Sequence, residues 1–169
     1  NINKVPATSY TQTNLTPLGS TLYFVSNDGI HGYELWETDG TENGTTMIKD
    51  INVGSGNGAP NYLTVMGDYI YFSAADGTNG NELWKSDGTE EGTVMVKDIY
   101  TGTNDSNPQK FKTLGDTIYF IANNGVNGYE LWKSDGTEVG TTMVKDIYTG
   151  STPSSPSNLT ILGTTLYFS

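Results

Sequence analysis

The sequence ELWETDGT at residues 34–41 recurs as ELWKSDGT at 82–89 and again at 130–137. Each copy begins 48 residues after the one before it. The same spacing relates Tyr23-Phe24 to three later Tyr-Phe pairs and Lys49-Asp50-Ile51 to two later Lys-Asp-Ile triplets. Self-similarity at a period of about 20–50 residues is typical of one supersecondary unit stacked on its copies, because a single unit cannot bury its apolar face alone. The sequence therefore predicts a repeat protein.

One unit contains four short runs that are typical of β-strands, at residues 14–18, 21–25, 33–38 and 45–51. They are rich in β-branched and aromatic residues, are bounded by Gly, Asp and Asn, and lack helical periodicity. We predict an all-β fold of tandem 48-residue, four-stranded antiparallel units. One repeat array over 1–169 then consists of three full units and a partial one, at 14–61, 62–109, 110–157 and 158–169.

The loops on either side of the ELW strand indicate how the strands pair. Asp28-Gly29 precedes that strand in the first unit and Asp39-Gly40 follows it, and both loops keep Asp-Gly or Asn-Gly in the later units. Short loops of this kind join antiparallel neighbours, because Gly adopts the positive φ that tight turns need. Four such strands in about 40–50 residues match a blade of a β-propeller. A sandwich or other stacked sheet, and a solenoid, remain as alternatives.

The units resemble the ELWxxDGT-repeat proteins, and the resemblance covers essentially the whole chain. It rests on the eight-residue motif and on the strand that follows each copy, GTTMIKDI, GTVMVKDI and GTTMVKDI. That family occurs mainly in large secreted or surface-exposed bacterial proteins and is associated with propeller-like repeats. The resemblance implies an extracellular or cell-surface location.

The composition narrows the classes of partner. Eight basic and nineteen acidic residues give a net charge of −11, which argues against nucleic acid and against anionic membrane surfaces. No apolar run is long enough for a transmembrane helix, so we expect no membrane insertion. The chain has no cysteine, which excludes disulfides and thiolate chemistry.

Aromatic residues at one phase of the repeat are candidates for sugar binding. Trp36, Trp84 and Trp132 could form a row of sugar-stacking platforms, but Trp in the third strand of a blade more often packs between sheets. We therefore expect burial. Tyr33 and Tyr129 flank the motif, whereas the middle unit has Asn81 at this position.

Glu34, Glu82 and Glu130 recur inside apolar surroundings. Glycosidases need two carboxylates about 5–10 Å apart in one pocket, whereas the repeat places these acids on separate units. We predict a structural role with two alternatives. Each Glu either pairs across strands with a lysine or accepts backbone N–H groups at a turn; the lysines concerned are Lys49, Lys97 and Lys145.

Asp39, Asp87 and Asp135 each precede Gly-Thr and resemble fragments of calcium loops. The stretch lacks oxygen ligands at every second position and a closing Glu, so we interpret these residues as turn formers. A bound calcium ion remains the alternative, and no other cofactor is expected. His31 is the single histidine, and the later units have Asn79 and Asn127 at its position, so it predicts neither a catalytic triad nor a metal site.

These observations favour a non-enzymatic structural or adhesive repeat segment of a secreted or surface-bound protein. The alternative is a lectin-like propeller that binds a glycan or calcium weakly at one site per unit. The chain begins with Asn1 and stops inside the apolar run 165–169. We therefore expect a segment of a longer protein, not an autonomous monomer, whose exposed Leu166-Tyr167-Phe168 edge pairs with other repeats or with another chain.

Overall fold

The computed structural model describes residues 15–169, and within them it contains β-strands, turns and loops but no helix. Fourteen strands follow one another along this described part of the chain. They are β1 Thr16–Leu18, β2 Thr21–Asn27, β3 Tyr33–Thr38, β4 Thr46–Lys49, β5 Asn61–Met66, β6 Tyr69–Ala75, β7 Asn81–Ser86, β8 Val94–Lys97, β9 Gln109–Leu114, β10 Thr117–Asn123, β11 Tyr129–Ser134, β12 Thr142–Lys145, β13 Thr160–Leu162 and β14 Thr165–Tyr167.

The strands form three four-stranded sheets and one hairpin, each in simple sequential order: β1–β4, β5–β8, β9–β12 and β13–β14. Every pairing is antiparallel. The all-β class and the tandem four-stranded units are therefore confirmed. The register between the third and fourth strands shifts at the Leu-Trp step of each motif, for example between Leu83 and Trp84. This irregularity is a bulge, which bends the outer part of the sheet.

Successive sheets approach one another most closely at their first strands, β1, β5, β9 and β13. A hydroxyl bridges two of these strands where Thr113 Oγ1 donates to the Val65 carbonyl at 2.8 Å. The units therefore resemble blades that converge at an inner edge, with the fourth strands on the outside. Within residues 15–169 the last hairpin does not pair with the first sheet, so the described units form an open array.

Apolar faces of neighbouring sheets build the cores between units. The second sheet presents Ile70, Phe72 and Trp84 to the first unit, where they pack with Tyr23 and Leu35. Its opposite face packs against the third unit in the same way, through Tyr71, Leu83, Val96 and Ile99. This arrangement explains why the second strands are apolar on both faces, as expected for a sheet enclosed between neighbours.

Burial between the sheets is most complete in the second unit. Leu83, Phe72 and Tyr71 are each at most 2% exposed. Phe24 and Trp36 of the first unit are only half-buried, because no sheet among the described residues covers their face. At the other end, the predicted exposure is confirmed for Tyr167 and Phe168. It is wrong for Leu166, because this side chain packs against Ile121 and Leu131 of the third unit.

Candidate functional site

The repeated glutamates are fully buried anchors for the loops that connect units. Glu82 lies on β7, and its carboxylate accepts the Ile99 N–H at 2.8 Å, the Ser106 N–H at 3.0 Å and the Ser106 hydroxyl at 2.6 Å. The side chain therefore fixes both ends of the loop that leads from β8 to β9. Burial raises the pKa of Glu82 to about 7, because desolvation disfavours the charged form more strongly than these donors favour it.

The other two glutamates act in the same way. Glu34 accepts the N–H groups of Ile51 and Gly58, and burial also raises its pKa. Glu130 accepts N–H groups from the corresponding loop of its own unit. Of the two predicted roles, acceptance of backbone N–H groups is confirmed, and pairing with lysine is wrong. The reason is geometric, because the lysine on the fourth strand lies opposite the Leu of the motif and not opposite its Glu.

Lys49 and Lys97 instead connect one unit to the next. Lys49 Nζ donates to the Thr93 carbonyl at 2.9 Å and to the Glu90 carbonyl at 3.2 Å. Lys97 Nζ donates to the Thr141 carbonyl at 2.9 Å in the same manner. A second contact forms where the Tyr23 hydroxyl lies against Gly88, at which a Cβ would approach to 2.6 Å. The DGT loop is therefore a docking element for the preceding unit as well as a turn.

The turn role of the repeated aspartates is confirmed. Asp39 Oδ1 accepts the Thr41 N–H at 2.9 Å and the Thr41 hydroxyl at 2.7 Å. Asp87 and Asp135 make the same two bonds in their units. These bonds lower the pKa of each aspartate, since they favour the charged form.

No compact group of three acidic, histidine or cysteine side chains suited to a metal ion occurs in residues 15–169. His31 makes a local pair, with Nδ1 at 2.6 Å from Asp28 Oδ2. This hydrogen bond raises the pKa of His31, and the pKa of Asp28 falls to about 2, chiefly because it also accepts the His31 N–H. Asn79 replaces His31 in the second unit and bonds to Asp76 at 2.7 Å, so this contact stabilises a loop.

The tryptophans pack between sheets. Trp84 and Trp132 are each 6% exposed, and Trp36 is half-buried. The packing prediction is confirmed for the two later residues, because a platform for sugars must be open to solvent. All three indole N–H groups are buried without a hydrogen-bond partner among the described residues. The flanking Tyr129 accepts a hydrogen bond of 3.4 Å from Asn107 through its hydroxyl.

A cleft at the inner edge of the units gathers residues that the sequence reasoning missed. It has a volume of about 540 Å³ and lies between β5, β9 and the segment before β13. Tyr62, Lys110 and Asn158 line it from equivalent positions, 48 residues apart. All three adopt the left-handed backbone conformation, with φ of 60°, 58° and 54°. The signal in the sequence was a break in the repeat, since Lys110 and Lys112 have no lysine at the same phase of another unit.

Comparison with known proteins identifies no family. No protein-family model matches the chain, and no curated protein matches it. Among solved structures, the chain is similar to the crystal structure of the computationally designed Ika8 protein, with 11% sequence identity and a TM-score of 0.31. The similar region covers 82% of this chain and 50% of the designed one. So low a similarity supports no argument about fold or function. In residues 15–169 no helix has the length and apolarity required to span a bilayer.

Proposed function

We propose that this chain is a non-enzymatic structural and adhesive β-repeat segment of a secreted or cell-surface protein. The proposal rests on one observation: the repeated polar residues have structural roles. The glutamates hold loops, the aspartates form turns, and Lys49 and Lys97 link neighbouring units. The resemblance to ELWxxDGT-repeat proteins supports the extracellular setting.

The unit interfaces support a role in tandem assembly. Ile51 and Ile99 are 4% and 6% exposed beneath the following unit, whereas their counterpart Ile147 is 46% exposed. Lys145 corresponds to Lys49 and Lys97 but is exposed and donates no hydrogen bond within residues 15–169. The outer part of the third sheet therefore exposes an isoleucine and a lysine. In each of the first two units, the equivalent pair contacts the unit that follows. Its partner is another unit of the same kind, from this protein or from a second chain.

Site-specific photocrosslinking of the full protein in its native cells tests the assembly. A benzophenone amino acid at Tyr148, which is 61% exposed beside Ile147, should crosslink to an ELWxxDGT-type segment. The control is Val53, a loop residue of the first unit that is 84% exposed. Crosslinks from Tyr148 that contain no repeat sequence, or that match those from Val53, would reject the proposed partner.

Labelling of intact cells tests the location. A membrane-impermeant amine-reactive biotin should modify the exposed Lys133 before the cells are lysed. Modification of Lys133 only after lysis would overturn the surface assignment.

A further inference from the structure

The inner-edge cleft is lined by three residues that share one backbone conformation, which recurs at the same position of three successive units. The left-handed conformation costs a non-glycine residue about 1–2 kcal/mol, yet Tyr62, Lys110 and Asn158 all adopt it. Gly, which would carry no such cost, occupies none of the three positions. In the second unit this conformation accompanies the register shift between Asn61 and Thr64, so it belongs to a bulge at the start of the first strand.

The side chains at three positions of the cleft differ from unit to unit. Tyr62, Lys110 and Asn158 differ completely in chemistry, although the strands that follow them in each unit keep the same pattern. Lys112 likewise takes the place of Thr64 in the second unit. Repeat proteins commonly bind ligands on a concave surface of this kind. Each unit therefore presents a different side chain at the inner edge, and the cationic ones belong to the third unit.

The cleft is locally cationic in an acidic protein. It holds two of the eight lysines of the chain, and none of its lining residues is acidic. Lys110 Nζ donates one hydrogen bond to the Pro156 carbonyl at 3.2 Å and keeps its other donors. Lys112 is exposed and makes no hydrogen bond or ion pair within the described part of the chain. Two ammonium groups are thus available to an anionic ligand.

An exposed aromatic ring lies in the same cleft. Tyr62 is 42% exposed, and its ring is held edge-on against the buried Phe111, with the centroids 6.3 Å apart. A partly exposed aromatic ring suits stacking against the apolar face of a pyranose. Ser157 and Asn158 add a hydroxyl and an amide at the opposite side of the cleft.

We propose that this cleft binds a terminal acidic sugar, with its carboxylate on Lys110 and Lys112 and its ring against Tyr62. This inference rests on the adhesive function proposed above and names its ligand class. A long polyanion is disfavoured, because the net charge of −11 repels any extended chain of negative charges beyond the two lysines. A single carboxylate bound at the two lysines interacts mainly with these two positive charges, because salt screens charges that lie more than about 8–10 Å away.

Two ligands that differ only at the carboxylate test the proposal. The full protein is titrated with methyl glucuronide and, separately, with methyl glucoside, and binding is followed by calorimetry and by NMR shifts of β5 and β9. The glucuronide should saturate with shifts in the cleft, and the glucoside should bind at least about tenfold more weakly, a difference of about 1.4 kcal/mol.

Variants locate the site. Lys112→Gln and Tyr62→Asn should each weaken glucuronide binding about tenfold, and Asn is tolerated in the left-handed conformation at residue 62. The control, Lys133→Gln, removes the same charge from an exposed position outside the cleft and should leave binding unchanged.

Three results would overturn the proposal: no saturable shift in the cleft, equal binding of the two glycosides, or preferential binding of heparin fragments. The last would indicate a polyanion site. Failure of surface labelling would reject the proposed location while leaving glucuronide binding intact, so the two proposals fail separately.

Discussion

Replacement of Gly136 by Ala should destabilise the protein through the interface between units. Gly136 follows Asp135 in the third DGT loop and has φ of 88°. A Cβ at this position would overlap the hydroxyl of Tyr71, a residue of the preceding unit that is only 2% exposed. The substitution therefore combines strain in the backbone with a clash across the interface.

The repeat supplies a control in which only the first of these effects operates. Gly40 occupies the same place in the first unit with φ of 91°, and no described atom lies within 4 Å of a Cβ added there. Gly40→Ala should lower the free energy of unfolding by about 1–2 kcal/mol, through strain of the left-handed backbone alone. Gly136→Ala should cost a further 1–3 kcal/mol or so, the usual range for overpacking.

The assay is equilibrium urea unfolding followed by tryptophan fluorescence, with the free energy of unfolding taken from the midpoint and slope. Tyr71→Phe removes the clashing hydroxyl, so it should recover most of the excess cost of Gly136→Ala in a double-mutant cycle. The reasoning is refuted if the two Gly→Ala variants lose the same stability within about 0.5 kcal/mol, or if Tyr71→Phe gives no recovery.

Three further outcomes are expected. Trp84→Ala should lower the free energy of unfolding by about 3–5 kcal/mol through the cavity it leaves, and a loss below about 1 kcal/mol would mean that the ring is not packed between sheets. Lys97→Met should lower the free energy of unfolding by about 1–2 kcal/mol, because it leaves the carbonyls of the next unit without their charged donor. Lys145→Met should leave that free energy nearly unchanged. Equal losses for the two variants would contradict the linking role. The melting temperature should fall as pH rises from about 4.5 to about 7. The reason is that Glu82 has a folded-state pKa of about 7 against an ordinary value of 4.5. Between these two pH values the native state binds more protons than the unfolded state, so a rise in pH lowers the stability. Glu82→Gln should flatten this slope, and an unchanged slope would show that another group causes it.

The sequence by itself determined the parts of this protein that depend on neighbours close along the chain. The period, the four strands of each unit and their antiparallel order follow from short apolar runs and from the loops that join them. Asp39 could be assigned to its turn because the donors it binds lie two residues away, at Thr41. Its conformation is fixed by local covalent geometry and local hydrogen bonds.

The tertiary structure decided every role that joins distant segments. Lys49 matched Glu34 in the repeat, yet its partners are carbonyls 41 and 44 residues further along, on the next unit. Tyr62, Lys110 and Asn158 became neighbours only because the first strands of successive sheets converge. A repeat period records which residues are equivalent, but it carries no information on the angle at which one unit packs on the next. That angle follows from side-chain packing between sheets, and it sets both the docking contacts and the cleft.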